Sequence, residues 1–351
     1  MLKRILKILG GSLLVVLVTA LAVLLNALCA CAILAYGPSP EWQRRFVATF
    51  DETSAMKFVP RMYLSEETVQ SILYPEPAEI VEAPFTELAF EAGAPEADRE
   101  TGPTVVVADP PEEGKEWLEI IDIKRPTFKG KLMVVHDPSR VIVGTLDAYG
   151  ESCYGKYLRE FVASYGAIGG INAGGFDDPN GGGSGGVPDG LVIRDGKIAW
   201  GSPTSWYANV IGFDANHILH VGSMYGQAAL DLGLTSAVSF YAGPVLVQDG
   251  KIRTNLGGGL NPRTCIGQTS DGTVLLLVLE GRRPDSLGAT YDDLAQLMAE
   301  YGAVNAANLD GGSSSDMYYN GESLIKNSAY LGLGRRLPNA ILVLSGENPD
   351  E

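Results

Sequence analysis

The amino-terminal segment contains the feature that most restricts what this chain can fold into. Residues 8 to 36 form a run of 29 positions without a charged side chain, rich in Leu, Val and Ala. As an α-helix rising about 1.5 Å per residue, such a run exceeds the roughly 30 Å hydrocarbon core of a bilayer. It is also long for a cleavable signal sequence, and no small-residue cleavage site is followed by polar sequence. The run therefore predicts an uncleaved transmembrane signal-anchor, with a cytosolic stub, within residues 1–36.

Basic residues before the run predict its orientation. Lys3, Arg4 and Lys7 all precede it, and positive charges favour the cytosolic side of a membrane. We therefore expect a single-pass protein that contacts the lipid bilayer through this helix, with a cytosolic amino terminus and an extracytoplasmic catalytic domain. A rival interpretation is a lipoprotein cleavage box at residues 28–31 with a lipidated Cys31. The apolar sequence that continues through Leu34 argues against it.

The composition after the anchor changes twice. Residues 37–75 form a juxtamembrane segment. Within it, residues 41–74 alternate apolar and charged positions in helical fashion, which suits a juxtamembrane helix or an oligomer contact. Residues 76–116 carry twelve acids, two bases and six prolines, a composition that predicts an extended acidic linker. Residues 117–346 then have the texture of a globular domain, followed by a short tail at 347–351. A net charge of -16 argues against a nucleic-acid partner, which needs a basic face.

Short apolar runs broken by Gly, Pro, Asn and Asp predict the fold of the globular domain. Two helices are indicated, at 155–164 and at 291–301, the second opened by Thr290 and Asp293 at capping-box spacing. Strands outnumber helices, so we expect an α+β fold with a mixed, largely antiparallel β-sheet and a few covering helices. The predicted strands are 117–123, 131–136, 140–146, 189–193, 209–213, 237–241, 244–248, 263–267, 273–279, 304–309, 315–319 and 339–344.

One cluster near the end of the domain has the composition of a catalytic site. In NAANLDGGSSSDMYYNGE, residues 305 to 322, a short apolar strand ends in Asp310, followed by two glycines and three serines. The glycines permit backbone geometry that a side chain would block, and the acid then stands beside hydroxyls and free amides. Asp-Gly is also a common tight-turn dipeptide, so the cluster alone leaves a hairpin turn open.

Further strand ends carry polar residues in Gly-punctuated loops. Asn172 follows the apolar end of a strand, and Arg263 and Arg282 lie in NPRTCIG and LEGRR. Spacing alone does not show that they converge, since each is also typical of a turn or an ion-paired surface.

The sequence does not predict a metal cofactor. The three histidines, His136, His217 and His220, sit in no metal motif, and the cysteines have no C-x-x-C spacing. Asp177, Asp178 and Asn180 offer oxygen ligands in a glycine-rich loop without the spacing of an EF-hand, which leaves calcium a weak option there. We therefore expect no cofactor. Pairing of Cys153 with Cys265 stays open.

Taken together and in order, these clusters resemble the phosphodiester glycosidase family over about residues 131 to 344. The family includes a lysosomal uncovering enzyme and bacterial relatives associated with exopolysaccharide biosynthesis. The resemblance implies an extracellular or cell-envelope hydrolase acting on a carbohydrate or sugar-phosphate polymer. Two departures from the family pattern, Ala173 after Asn172 and Glu280 where relatives have aspartate, leave the identity of the substrate open.

The resemblance also implies roles for individual residues. Asp310 is expected to be the catalytic carboxylate, which acts as nucleophile or as base for water. Glu280 is expected to be the second catalytic carboxylate. Arg263 is expected to hold the phosphate, and the late arginine matches Arg335 or Arg336, of which Arg336 is taken as the binding residue. The expected substrate- or phosphate-binding residues are Asn172, Gly174, Gly175, Arg263, Thr264, Arg282, Gly311, Gly312, Ser313 and Arg336.

These residue types suit a sugar joined through C1 to a phosphodiester. Such a leaving group is far more acidic than an alcohol, so one carboxylate and an anion clamp could suffice. The predicted function is hydrolysis of this linkage. Two alternatives remain open: a glycan-binding or exopolysaccharide assembly factor without turnover, and a metal-dependent phosphodiesterase that cleaves the P–O bond.

Overall fold

The computed structural model describes residues 2–53, 56–73, 117–241, 243–329 and 332–345. The chain divides into two compact units between residues 75 and 76, and each is described by itself. The predicted acidic linker at 76–116 and the predicted tail at 347–351 lie outside the described residues.

The first unit is helical. Its helices are α1 (Leu2–Tyr36), α2 (Pro40–Asp51), α3 (Phe58–Arg61) and α4 (Glu66–Leu73). Within α1, Gly11–Tyr36 is long and apolar enough to cross a membrane, with a mean hydropathy of 2.7, as the charge-free run predicts. α2 begins where the Ser39 side chain accepts a hydrogen bond from the Trp42 N–H, with proline at the first helical position.

The three short helices pack on the carboxyl-terminal turns of α1. Their common core consists of Ala35, Phe46, Val47, Val59 and Val69. Polar contacts add to this packing, since Gln43 Nε2 donates to the Ala35 carbonyl at 2.7 Å and Tyr63 Oη to the Leu28 carbonyl at 3.1 Å. The helical alternation of residues 41–74 therefore forms three helices around the end of α1.

The second unit is built mainly from strands. Its three α-helices are α5 (Leu158–Ser164), α6 (Gly226–Asp231) and α7 (Tyr291–Glu300). Its strands are β1 (Leu118–Lys124), β2 (Lys129–Val135), β3 (Val141–Thr145), β4 (Ala167–Asn172), β5 (Val192–Arg194), β6 (Lys197–Trp200), β7 (Tyr207–Asp214), β8 (Leu219–Tyr225), β9 (Leu234–Ser239), β10 (Val245–Gln248), β11 (Lys251–Ile252), β12 (Arg263–Thr269), β13 (Val274–Leu279), β14 (Ala303–Asn308), β15 (Met317–Tyr319), β16 (Glu322–Ser323) and β17 (Asn339–Leu344).

These strands form three sheets. The first has seven strands in the order β1-β2-β13-β12-β14-β10-β11, the second five in the order β16-β15-β4-β17-β3, and the third five in the order β6-β5-β9-β7-β8. Every ladder among these strands is antiparallel. The predicted α+β class with largely antiparallel pairing is confirmed.

One apolar core joins the three sheets. Alternate residues of each strand face it, as β13 illustrates: Val274, Leu276 and Val278 point into the shared core, whereas Leu275 and Leu277 point outward. Each outward face is covered by one helix: α7 on the first sheet, α5 on the second and α6 on the third. α7 begins with the expected capping box between Thr290 and Asp293.

Candidate active site

Asp310 lies where the first and second sheets meet. It comes two residues after the end of β14, and its backbone N–H donates to the Ala173 carbonyl, just beyond β4, at 2.9 Å. The turn that follows requires glycine, because a Cβ on Gly311 would lie 2.8 Å from the Pro262 carbonyl oxygen and Gly312 has a φ of +60°. The glycines of the Asp310 cluster therefore seat the turn against the loop before β12.

Asn172 holds this junction together. Its side chain is fully buried, donates to the Asp310 carbonyl at 2.6 Å, and accepts from Thr264 Oγ1 at 2.8 Å and from the Asp316 N–H at 3.1 Å. Three strand ends are thereby tied to one amide group. The structure thus shows the Asn172 amide group and the Thr264 hydroxyl bonded to each other and to the backbone around Asp310. Their expected substrate-binding role stays a prediction.

The Asp310 carboxyl group is a weaker acid than an ordinary aspartic acid. Burial is the largest cause and raises its pKa from 3.8 to about 7. The Ser314 hydroxyl, the positive charge of Arg335 and the Gly311 N–H act against the rise, and the negative charge of Asp178 adds to it. A carboxylate whose pKa is near neutrality is suited to exchange a proton during a reaction.

The positive charge of Arg335 acts on this carboxylate. Its Nη2 donates to Asp178 Oδ1 at 2.7 Å and its Nη1 to Asp178 Oδ2 at 3.1 Å, a bidentate pair, and Nη1 also reaches Ser313 Oγ at 3.3 Å. Burial alone would raise the pKa of Asp178. The hydrogen bonds from Arg335 and from the Gly183 N–H outweigh that and hold this pKa below its usual range.

A second guanidinium group flanks the turn. Arg282 has an exposed side chain, and its nitrogens would lie 3.2 and 3.3 Å from a Cβ on Gly312. Its Nε donates to Asn261 Oδ1 at 3.1 Å. One partly exposed cluster is thus formed by the Asp310 carboxyl group, the Ser313 hydroxyl and the guanidinium groups of Arg282 and Arg335.

Arg263 does not take the position expected of a phosphate ligand. It precedes Thr264 on β12, so the two side chains point to opposite faces of the sheet. Arg263 is 4% exposed, donates to the carbonyls of Ala289 and Gly259 at 3.0 and 2.7 Å, and lies over the Tyr291 ring at 3.9 Å. These contacts direct the side chain toward the start of α7.

Glu280 and Arg336 make their contacts with other parts of the domain than the Asp310 carboxyl group. Glu280 Oε1 accepts from the Lys326 N–H at 2.8 Å, which fixes the loop beside the Asp310 turn. Arg336 donates to the Gly155 carbonyl at 2.9 Å and lies over the Tyr157 ring at 4.9 Å. Of the two adjacent late arginines, Arg335 rather than Arg336 therefore faces the cluster. Asp178, considered from the sequence only as a calcium ligand, is the second carboxylate beside it.

The backbone amides of Gly174 and Gly175 are used within the protein. The Gly174 N–H donates to Asn339 Oδ1 at 2.6 Å, and the Gly175 N–H donates to the Ser239 carbonyl at 3.1 Å. Side chains do not fit here, since a Cβ on Gly174 would lie 2.7 Å from the Ser239 carbonyl oxygen. These glycines therefore allow close backbone packing, and their amides point to protein acceptors instead of a substrate.

Metal-binding groups were expected to be absent. Among the residues that the structure describes, no group of three or more His, Cys, Asp or Glu side chains is placed to share a cation. Cys153 and Cys265 are both free thiols, and Cys265 is buried in the core.

Comparison with known proteins agrees with this architecture. The model of the phosphodiester glycosidase family matches residues 165–344, just over half of the chain. The uncharacterized protein YomE of the SPbeta prophage in Bacillus subtilis strain 168 is 30% identical over 216 residues, which are 59% of this chain and 31% of that protein. The match thus spans about a third of this relative.

A solved structure shares the fold. The catalytic domain of zebrafish N-acetylglucosamine-1-phosphodiester alpha-N-acetylglucosaminidase, auto-inhibited by its pro-peptide, superposes with a TM-score of 0.55 at 21% identity. The alignment covers 68% of this chain and 87% of that domain. From the family match, the chain belongs to the phosphodiester glycosidase family, whose members are hydrolases of phosphodiester-linked sugars.

Proposed function

We propose that this protein hydrolyses the bond between C1 of a sugar and the oxygen of a phosphodiester, with Asp310 as the reacting carboxylate. The observation that carries the proposal is that the Arg335 guanidinium group reaches Ser313 Oγ, in the turn after Asp310, at 3.3 Å, and that its charge acts on the Asp310 carboxyl group, whose pKa is raised to about 7. Family membership supplies the class of linkage. The roles of the individual residues are inferred from their geometry.

The proposed reaction needs few groups. Asp310, in its ionised form, attacks C1 directly or removes a proton from the attacking water while the C1–O bond breaks. Because the departing group is already a stable phosphate anion, it needs little protonation. Arg335 and Arg282 would neutralise its charge on either side of the turn, and Ser313 would donate a further hydrogen bond.

Asp178 completes the proposed site in a way that Glu280 does not. Its carboxylate orients Arg335 through two hydrogen bonds and raises the pKa of Asp310 through its charge. We therefore assign Asp178 as a positioning residue for the clamp, and Glu280 as a support for the loop around Lys326.

The proposed setting is the outer face of a membrane. The apolar helix Gly11–Tyr36 would act as the anchor, and Lys3, Arg4 and Lys7 before it would keep the amino terminus in the cytosol. The substrate would then be a cell-surface or secreted glycan. Protease digestion of intact spheroplasts tests this: the second unit should be degraded from outside, and its full protection would contradict the orientation.

The reaction is tested with the full chain in detergent and a panel of sugar-1-phosphate diesters in water enriched in ¹⁸O. The expected products are free sugar carrying the label and an unlabelled phosphomonoester. Label in the phosphate, together with sugar phosphate as product, would instead indicate P–O cleavage and overturn the proposal.

Asp310→Asn separates turnover from binding. It should lower kcat by at least roughly a thousandfold with the fold retained, because only the reacting oxygen is changed. Asp195→Asn is the matched control, since Asp195 lies in an exposed turn between β5 and β6. Equal hydrolysis by both variants, or binding of the diesters by the wild-type chain without any turnover, would favour a glycan-binding factor.

A further inference from the structure

A cavity lies apart from Asp310, between the third sheet and the edge of the first. Its volume is about 670 Å³, within the range of small-molecule sites. One wall consists of residues from β7 and β8, including Tyr207, Asn209 and Ser223, and the other includes Gln248, Arg253 and Asn305. We call this cavity the β7–β8 groove. None of the described residues around Asp310 lines it.

The groove arises from a change in one sheet face. On β7, Ile211, Asn209 and Tyr207 lie on the same face because alternate residues of a strand point the same way. Their partners on β8 are Val221, Ser223 and Tyr225. Ile211 and Val221 belong to the shared core. The same face therefore turns from apolar to amide and hydroxyl and then to aromatic as it leaves the core.

The outer end of this face is an aromatic platform. Tyr207 lines the groove, and Tyr225 lies beside the lining. The two rings are paired edge to face across the strands with centroids 5.2 Å apart, and they are 57% and 46% exposed. Aromatic rings in this position are costly to leave in water and are typical of binding surfaces. The C–H groups on one face of a sugar ring carry partial positive charge, which the negative face of an aromatic ring attracts.

Hydrogen-bonding groups lie directly inward of the platform. Ser223 Oγ donates to Asn209 Oδ1, and across the groove Arg253 Nη2 donates to Gln248 Oε1 at 2.7 Å. His220, also in the lining, is paired with Asp214 at 3.1 Å. Arg253 and Asp249 bring one formal charge of each sign to the lining, so the formal charges of the groove nearly cancel. A polar, nearly neutral cavity beside an edge-to-face pair of exposed tyrosines matches the chemistry of uncharged sugar rings better than that of an anion, a peptide helix or a lipid.

We propose that the β7–β8 groove is a second carbohydrate-binding site, which holds an uncharged stretch of a glycan chain that is not cut there. The tyrosine platform would stack on a sugar ring, and Asn209, Ser223, Gln248 and Arg253 would hydrogen-bond to hydroxyl groups. This site goes beyond the proposed hydrolysis, because binding here requires neither Asp310 nor a phosphodiester.

The test is calorimetric titration of the full chain in detergent with maltohexaose, cellohexaose and chitohexaose. We expect at least one of these hexasaccharides to bind, and Tyr207→Ala and Tyr225→Ala each to weaken that binding at least tenfold. Tyr207→Phe should retain most of it, because the ring is preserved. Asp310→Asn should bind as the wild-type chain does, which separates this site from the proposed catalytic one.

Tyr154→Ala is the matched control, since Tyr154 is also highly exposed but lies outside the groove. Circular dichroism of each variant checks that the fold is kept. Failure of all three hexasaccharides to bind would overturn the proposal. So would binding that Tyr207→Ala and Tyr225→Ala leave unchanged, or binding that only Asp310→Asn abolishes.

Discussion

At the scale of single residues, Asp310 links reactivity to stability. Its pKa is raised to about 7 in the folded protein, chiefly by burial, whereas an unfolded chain leaves it near 3.8. Between these values the folded state binds a proton that the unfolded state has lost, so this residue makes the free energy of unfolding fall as pH rises from 4 to 7. The site thus carries a charged group at neutral pH at the expense of stability.

Asp310→Asn should therefore stabilise the protein at high pH. The neutral amide avoids the charge. A pKa raised to about 7 in a fully buried group corresponds to about 4 kcal/mol at pH 8, and the gain should be smaller here because Asp310 is partly exposed to solvent. At pH 4 the wild-type carboxyl is protonated in the folded state, and the two proteins should be nearly equally stable. Urea denaturation at both pH values measures the difference. A gain that is the same at pH 4 and pH 8 would show that burial of charge is not its cause.

Arg335 and Arg336 are adjacent but should respond differently to substitution. Arg335→Lys removes a bidentate contact with Asp178 and a donor to Ser313, and should lower kcat/KM at least roughly a hundredfold because lysine is a point charge. Arg336→Lys is the control and should change kcat/KM less than about threefold, since Arg336 contacts Gly155 instead. Steady-state kinetics on one diester decides between them. Equal losses in both variants would contradict the assignment.

At the scale of secondary-structure elements, Asn172 connects strands from two sheets. Its amide group bonds to Asp310, Thr264 and Asp316. Asn172→Ala leaves these buried partners without hydrogen bonds and should lower the free energy of unfolding by about 2 to 4 kcal/mol. Thermal or urea denaturation measures the loss. Asn216→Ala, in an exposed turn, should cost less than about 0.5 kcal/mol, and a comparable cost for both variants would argue against the connecting role.

The elements also show what the sequence can predict. Continuous apolar runs such as 274–279 are visible as strands because both faces of β13 are buried. β8 was not predicted, because Gly222, Ser223 and the half-buried His220 break its apolar pattern. The division into three sheets depends on pairing between distant residues, which one sequence does not encode locally. β4 shows this best, since it pairs with β15 and β17 far along the chain.

The candidate site could likewise be predicted only where local sequence restricts the backbone. The Asp310 cluster and Asn172 are recognisable because glycine and a polar residue at a strand end restrict the local backbone. The direction of a side chain is a tertiary property. Arg263 carries the expected residue type, yet strand alternation and the Tyr291 ring direct it to the α7 side. The ion pair of Asp178 was not predicted because its partner, Arg335, lies 157 positions later in the sequence.

At the scale of the whole molecule, the two units separate the proposed anchor from the proposed chemistry. Every residue of the Asp310 cluster lies in the second unit, whereas Phe46 is central to the core of the first. Phe46→Ala should destabilise the first unit by about 3 to 5 kcal/mol and leave hydrolysis of small diesters unchanged. Limited proteolysis of residues 40–73 and an activity assay on the same sample test this. Phe58→Ala is the control, because Phe58 is 57% exposed. Loss of activity in Phe46→Ala alone would contradict this separation.

The bidentate pair between Arg335 and Asp178 has a practical consequence for assays. The guanidinium group already accommodates a planar carboxylate, so free carboxylic acids in solution are expected to compete with substrate for it. Citrate should act as an inhibitor that raises the apparent KM and leaves kcat unchanged, whereas a zwitterionic sulfonate buffer at equal ionic strength should do so much less. A search for substrates carried out in citrate would then overlook weakly bound ones.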